Sequence, residues 1–346
     1  MSETTASFAL TLKHEGFTTT APTGPYVDTL DPYLAAEEVE VPAPQEGQVL
    51  IRMIMAPVNP SDLHFIKGEY GLPRVQGDAA GFEGCGEVVA AGAGAEPLVG
   101  QRVAFTRAKT GTGAWAEYVL GEASSCIPLP QAVSDEDAAA FFVNPLTAVG
   151  MINEVVLAKS PAVVITAGAS QLSKLMVGLA RDRELTSIVL VRRAEQVQAL
   201  RDLGATHVLD QTDSSFASHL KELFEAHKPR VLLDAVADAT AAQVFFAMPS
   251  RARWVIYGLL DTQPTVLDQL GQLIFMGKSI EGFWLSSWLP ALEASVRNQV
   301  FAEVVDRFAR GVWRTDVRER IPLREAHARL PAALAGANVG KVMLTP

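Results

Sequence analysis

The chain has 346 residues, 49% of them hydrophobic and 20% charged, which is enough for two domains with a substantial buried core. Its 29 Lys and Arg against 39 Asp and Glu give a net charge of -10, which excludes the broad basic footprint of a general nucleic-acid-binding protein. Two cysteines, Cys85 and Cys126, are too few for a disulfide framework or a four-thiolate zinc site and are expected as free buried thiols of a reducing cytosol.

Residues 1–16 carry no charged-then-apolar leader pattern, and no run of about 18 apolar residues interrupts the chain, so a cytoplasmic protein without a membrane partner is expected. Up to about residue 140 the sequence reads as β-rich. Apolar runs at 48–55, 84–92, 100–105 and 118–119 are punctuated by glycines suited to tight turns and barrel bends. Ser134, followed by Asp135, Glu136 and Asp137, has the make-up of a helix N-cap with acids in the first turn, and the helix is expected to run through Phe142. From about Ala162 the rhythm becomes strand, helix, strand. Strands are predicted at 162–166, 187–192, 207–210, 230–235, 253–257 and 279–284, with helical patterns between them. Such alternation implies right-handed βαβ units and a doubly wound parallel sheet. A helix over 291–311 and a closing strand at 340–344 complete the prediction.

Three words within this frame point to chemistry. Val163-Val164-Ile165-Thr166-Ala167-Gly168-Ala169-Ser170-Gln171-Leu172-Ser173-Lys174 runs from the first parallel strand into a helix, where backbone N–H groups bind a dinucleotide pyrophosphate. Gly168 is its lone glycine, so an ordinary strand-to-helix turn is the competing reading. The second parallel strand ends in Arg192-Arg193, not in the acid that bonds a ribose 2′-OH. A guanidinium pair there suits the 2′-phosphate of NADPH, with two solvated arginines as the alternative. The third word is Val58-Asn59-Pro60-Ser61-Asp62-Leu63-His64-Phe65-Ile66-Lys67-Gly68-Glu69-Tyr70. Either Ser61 or Asp62 caps a short helix, Gly68 ends it and Tyr70 packs its ring, or the loop delivers a phenol to a reacting group. No second ligand lies at metal-binding spacing from His64, and the other histidines form no cluster along the sequence.

These words, in this order from Asn59 to Lys341, resemble the medium-chain dehydrogenase/reductase family in its zinc-free branch. The likeness is strongest to mitochondrial-type trans-2-enoyl-thioester reductases, with quinone oxidoreductases as near relatives. Asn59 lies where zinc-dependent members carry a cysteine ligand, and Gly81-Phe82-Glu83-Gly84 replaces their Gly-His-Glu. The resemblance implies a GroES-like catalytic domain over 1–144 and 286–346 and a Rossmann domain over 145–285, with no metal. It also implies a homodimer formed by extending the Rossmann sheet.

By the same resemblance Tyr70 is the proton donor and Asn59 orients the substrate or the nicotinamide ribose. Asn144 and Thr147, in Val143-Asn144-Pro145-Leu146-Thr147-Ala148, approach the nicotinamide, although Pro145 also suits a helix start. Tyr257-Gly258 and Phe283-Trp284, at later strand ends, border the ring and the acyl pocket, while Lys341 lies near the cofactor or is an edge-strand lysine. Gly168, Ser170, Gln171 and Leu172 form the pyrophosphate turn, with Ser170 and Ser173 where small glycines are usual. The expected substrate is an enoyl thioester, an enone or a quinone, and Lys67 and Arg74 are candidates for the basic entrance an anionic carrier needs. The competing class is a dinucleotide-binding protein of this fold whose serines have weakened its chemistry.

Overall fold

The computed structural model describes residues 4–263, 265–335 and 340–346. The chain divides into two compact units, Met1–Val143 with Phe301–Pro346, and Asn144–Val300.

The first unit opens with β1 (Thr5–Leu12) and β2 (Leu34–Val41), an antiparallel pair with Phe8 opposite Glu38. β2 escapes a hydrophobicity reading because Glu37, Glu38 and Glu40 lie on it and only its ends are buried. β3 (Gln48–Pro57) leads into helix α1 (Pro60–Lys67), followed by β4 (Glu83–Ala91), β5 (Arg102–Thr106), β6 (Tyr118–Glu122) and β7 (Cys126–Pro128). β3 pairs with both β4 and β6, and its inward residues Val49, Ile51 and Met53 join a core that includes Leu10, Phe65, Phe105 and Trp115. Cys85 and Cys126 are free and buried.

Ser134 caps α2 (Asp135–Ala139), its hydroxyl accepting the Asp137 N–H at 3.2 Å. The helix stops there instead of continuing to Phe142. The N–H groups of Phe142 and Val143 turn to the Glu83 carboxylate, at 2.8 and 2.9 Å, and a new helix, α3 (Val143–Leu157), begins with Pro145 in its first turn.

The second unit then alternates β8 (Ala162–Ile165), α4 (Gln171–Asp182), β9 (Thr186–Val191), α5 (Val197–Asp202), β10 (His207–Asp210), α6 (Phe216–His227), β11 (Val231–Asp234), α7 (Ala239–Ala247), β12 (Arg253–Ile256), α8 (Gly271–Phe275) and β13 (Ser279–Gly282). All six strands are parallel, in the order β10-β9-β8-β11-β12-β13. This is the Rossmann order 3-2-1-4-5-6, whose ligand crevice opens where the winding reverses, between β8 and β11.

The helix expected over 291–311 is α10 (Ala294–Ala309), and a short helix that was not expected, α9 (Leu285–Ala291), precedes it and ends where Leu292 is extended. The division between units falls at Phe301, not at residue 286. α9 stays with the second unit because Trp288 packs on Phe283 with ring centroids 5.7 Å apart, and both lie over Gly150 of α3. The first unit resumes with β14 (Val317–Pro322), α11 (Leu323–Ala335) and β15 (Lys341–Thr345). β15 joins β14 to β3 in the seven-stranded sheet.

Candidate active site

In the first unit the Asn-Pro-Ser-Asp word builds a buried polar centre. Asn59 precedes α1, and Asp62 on its first turn reaches back to accept the Asn59 N–H at 2.7 Å, while its other oxygen accepts the Phe82 N–H at 2.9 Å. The Asn59 amide is engaged at both ends. Its Nδ2 donates to Glu83 at 2.9 Å and its carbonyl oxygen accepts from the Lys341 ammonium. Asn59, Asp62, Glu83 and Lys341 are all buried, and each carboxylate is satisfied by fixed donors. Burial pushes the Asp62 carboxyl up to about 7. It also raises Glu83, against the pull of Lys341, and lowers Lys341, against the pull of the two carboxylates.

Gly68, at φ 76°, ends α1 in the left-handed conformation that glycine favours and turns the chain towards Tyr70. The half-buried Tyr70 ring lies on Phe82 with centroids 5.0 Å apart, and Phe82 in turn lies on Phe65 at 4.9 Å. Phe82 thus joins the phenol to the polar centre, with its N–H bonded to Asp62 and its ring under Tyr70. Among the described residues no group of three His, Cys, Asp or Glu side chains could hold a metal ion. His64 pairs with Glu69 at 3.1 Å.

Lys67 and Arg74 do not line an entrance. Both are buried. The Lys67 ammonium donates to Thr23 at 2.7 Å and to the Gly24 carbonyl, and lies 3.3 Å from Glu69. Arg74 donates to the carbonyls of Gly16 and Ile66, at 3.0 and 3.2 Å. Their charges are consumed in tying residues 16–26 to the end of α1.

In the second unit the predicted residues gather at the carboxyl edge of the parallel sheet. Gly168 is buried in the turn after β8, and a Cβ there would meet the Val189 side chain at 2.4 Å and the Leu190 carbonyl oxygen at 2.9 Å, so no larger residue fits. Ser170 caps α4, leaving Gln171 and Leu172 as the first helical residues, whose N–H groups have no carbonyl within the helix to meet. Arg192 and Arg193 follow β9 and are exposed, with Arg193 3.7 Å from Glu195. Tyr257 and Gly258 follow β12. The Tyr257 N–H bonds to the Asp234 carbonyl at 2.9 Å, and its hydroxyl is buried. Asn144 and Thr147 lie in the first two turns of α3, with Thr147 buried. Phe283 and Trp284 follow β13 and line a cavity of about 370 Å³ with Trp288, Arg253, Glu154 and Glu281.

A turn too narrow for a Cβ at Gly168, leading into the N-terminus of α4 at the carboxyl edge of the sheet, fits the pyrophosphate of a nicotinamide dinucleotide. The structure thus brings Gly168, Ser170, Gln171, Leu172, Arg192, Arg193, Tyr257, Gly258, Phe283 and Trp284 to one edge of the second unit. In the first unit it joins Asn59 to Lys341. Glu83 and Asp62 complete that centre. The sequence signal for Glu83 was its place beside Phe82 in the Gly-Phe-Glu-Gly word.

Comparison with known proteins agrees with this architecture. The alcohol dehydrogenase GroES-like domain matches residues 45–131, and the zinc-binding dehydrogenase domain matches residues 172–309. A solved structure of a provisionally assigned NADPH:quinone reductase from Mesorhizobium loti is 47% identical, covers 100% of both chains and superposes with a TM-score of 0.93. The mitochondrial enoyl-[acyl-carrier-protein] reductase of Bos taurus is 29% identical over 317 residues, 89% of this chain and 84% of the relative. That of Caenorhabditis elegans is 31% identical over 255 residues, 71% of each chain. With the two domain matches, the parallel sheet in Rossmann order and a phenylalanine where zinc enzymes place a histidine, the chain belongs to the medium-chain dehydrogenase/reductase family of nicotinamide-dependent oxidoreductases, in its zinc-free branch.

Proposed function

We propose that the protein is an NADPH-dependent reductase of a carbon–carbon double bond conjugated to a carbonyl, with an enoyl thioester as the model substrate and Tyr70 as proton donor. The observation that carries this reading is the setting of Tyr70, a phenol whose ring meets Phe82 at a tilt, centroids 5.0 Å apart, beside a buried centre already filled by Asn59, Glu83 and the Lys341 ammonium. Bound NADPH supplies a hydride equivalent for the β-carbon. What remains for the chain is to stabilise negative charge on the carbonyl oxygen and to deliver one proton to the α-carbon. A phenol O–H positioned at the α-carbon can give its proton to a strongly basic enolate carbon. Asn59 anchors the loop that carries this phenol, since both ends of its amide are engaged inside the protein. Arg192, exposed after β9, is suited to the 2′-phosphate that distinguishes NADPH from NADH.

The 47% identical relative described as an NADPH:quinone reductase favours a second reading, in which a quinone takes the hydride. NADPH oxidation with crotonyl-CoA, a simple enone and a benzoquinone, for wild type and Tyr70→Phe, decides between them. Thioester or enone turnover that collapses in the variant supports the proton-donor role. Quinone turnover indifferent to Tyr70, with neither other substrate consumed, replaces the first reading by the second. A homodimer is proposed through β13, an edge strand preceded by exposed Ile274 and Phe275. A monomer by light scattering would sink it. Among the described residues no helix is long and apolar enough to cross a membrane.

A further inference from the structure

The turn after β8 is held together by side chains. The Ser170 hydroxyl accepts the Ser173 N–H at 3.1 Å and donates to the Ser173 hydroxyl at 2.9 Å. Ser173, with no exposed surface, passes the chain on by donating to the Thr166 carbonyl at 3.1 Å. The Thr166 hydroxyl accepts the Ala235 N–H at 3.0 Å and donates to Asp234 at 2.6 Å. Asp234, also fully buried, accepts three further bonds, from the N–H groups of Val236 and Ala237 at 2.9 and 3.0 Å and from the Trp254 indole at 2.8 Å.

These bonds join the carboxyl ends of β8 and β11, where the winding reverses, and tie them to the Trp254 side chain on β12. Between Thr166 and Ser170 the chain must pass Ala167 at φ 49°, a left-handed conformation that a residue with a Cβ adopts only when its surroundings hold it. A buried network with its members satisfied supplies that restraint.

We propose that the series Ser170–Ser173–Thr166–Asp234–Trp254 is a brace that positions the pyrophosphate turn in this chain, with Ser173 and Thr166 as positioning residues for the dinucleotide. The proposal rests on the cofactor reading above and reverses the expectation attached to the serines. They do not crowd the phosphate. Their hydroxyls face inwards, and the Leu172 N–H in the first turn of α4 is a donor that the helix itself does not meet.

The test is an NADPH fluorescence titration of wild type, Ser173→Gly, Thr166→Val and Thr166→Ser, with 2′-AMP titrated in parallel. 2′-AMP carries the adenosine 2′-phosphate without the pyrophosphate. The expected result is a roughly five- to twentyfold loss of NADPH affinity for Ser173→Gly and Thr166→Val, the loss of one or two hydrogen bonds. Thr166→Ser should stay near wild type, and 2′-AMP affinity should be unchanged throughout. Ser173→Gly binding NADPH as tightly as wild type, or more tightly, would overturn the brace, because the serine would then only fill a glycine's place. Equal weakening of NADPH and 2′-AMP would overturn it too, by marking a general loss of the fold. A wild type that saturates with NADH and not with NADPH sinks the NADPH reading, and the same series titrated with NADH then decides the brace.

Discussion

The Lys341 ammonium, on the last strand of the chain, donates to the side-chain carbonyl of Asn59, 282 positions earlier. The contact closes a buried centre in which Lys341 is the cation facing the carboxylates of Glu83 and Asp62. Removing it leaves those carboxylates without their balancing charge and the Asn59 oxygen without its donor. Lys341→Met is therefore expected to lower the unfolding free energy by about 2–3 kcal/mol, the usual value of a buried hydrogen bond to a charged group. Adding Glu83→Gln should return part of the loss by removing one of the stranded charges. Chemical denaturation of the two variants checks both statements, and a Lys341→Met protein as stable as wild type would show that the ammonium balances nothing.

The same centre predicts a pH dependence. Burial raises Asp62 to about 7 in the folded chain, against 3.8 for its ordinary value. The folded state then binds more protons than the unfolded state between these values, so this residue's contribution is fully present below about pH 4 and is lost as pH rises through about 7. Relative to Asp62→Asn, wild type should lose stability on the order of 1–3 kcal/mol between pH 4.5 and 7.5. Denaturation midpoints of both proteins across that range measure the difference. Parallel curves would mean that Asp62 does not carry the titration.

The doubly wound domain was legible because buried parallel strands are continuous apolar runs, and runs such as Val163-Val164-Ile165 stand out between helical patterns. The Asn59 loop was equally legible as a word, but not its partners. Nothing local in Gly340-Lys341-Val342 announces that the lysine is buried against Asn59, since that follows from β15 lying between β14 and β3. Lys67 and Arg74 misled for a related reason. Charge in a sequence does not reveal whether it faces solvent, and here carbonyl groups of residues 16–26 draw both cations inwards. The serines of the β8 turn looked like damage to a glycine pattern because their hydrogen bonds reach Thr166 and, through it, a strand 68 residues away.

Arg192 and Arg193 differ in a way that the sequence does not express. Arg193 lies 3.7 Å from Glu195, whereas Arg192 directly follows the buried end of β9. If a 2′-phosphate is recognised here, Arg192→Ala should weaken NADPH by roughly 10- to 100-fold, the value of a charge-assisted hydrogen bond, and leave NADH unchanged. Arg193→Ala should have the smaller effect. Titration of each variant with both nucleotides measures the ratio, and equal losses for NADPH and NADH would place the 2′-phosphate elsewhere.

Gly150 tests the wall of the cavity at the end of β13. It lies inside α3, where glycine is ordinarily a cost to the helix, and the reason for it is packing. A Cβ at this position would come within 2.5 Å of the Phe283 ring and 3.3 Å of Trp288. Gly150→Ala should therefore push the stacked pair off α3. The helix gains propensity from alanine, but overpacking of a rigid aromatic pair costs more, for a net loss of about 1–3 kcal/mol. Phe283→Leu in the same background should recover much of that loss, because the shorter side chain vacates the space the new methyl needs. Unfolding free energies of the single and double variants give the coupling between the two positions, and purely additive effects would mean that Phe283 does not rest on Gly150 in solution.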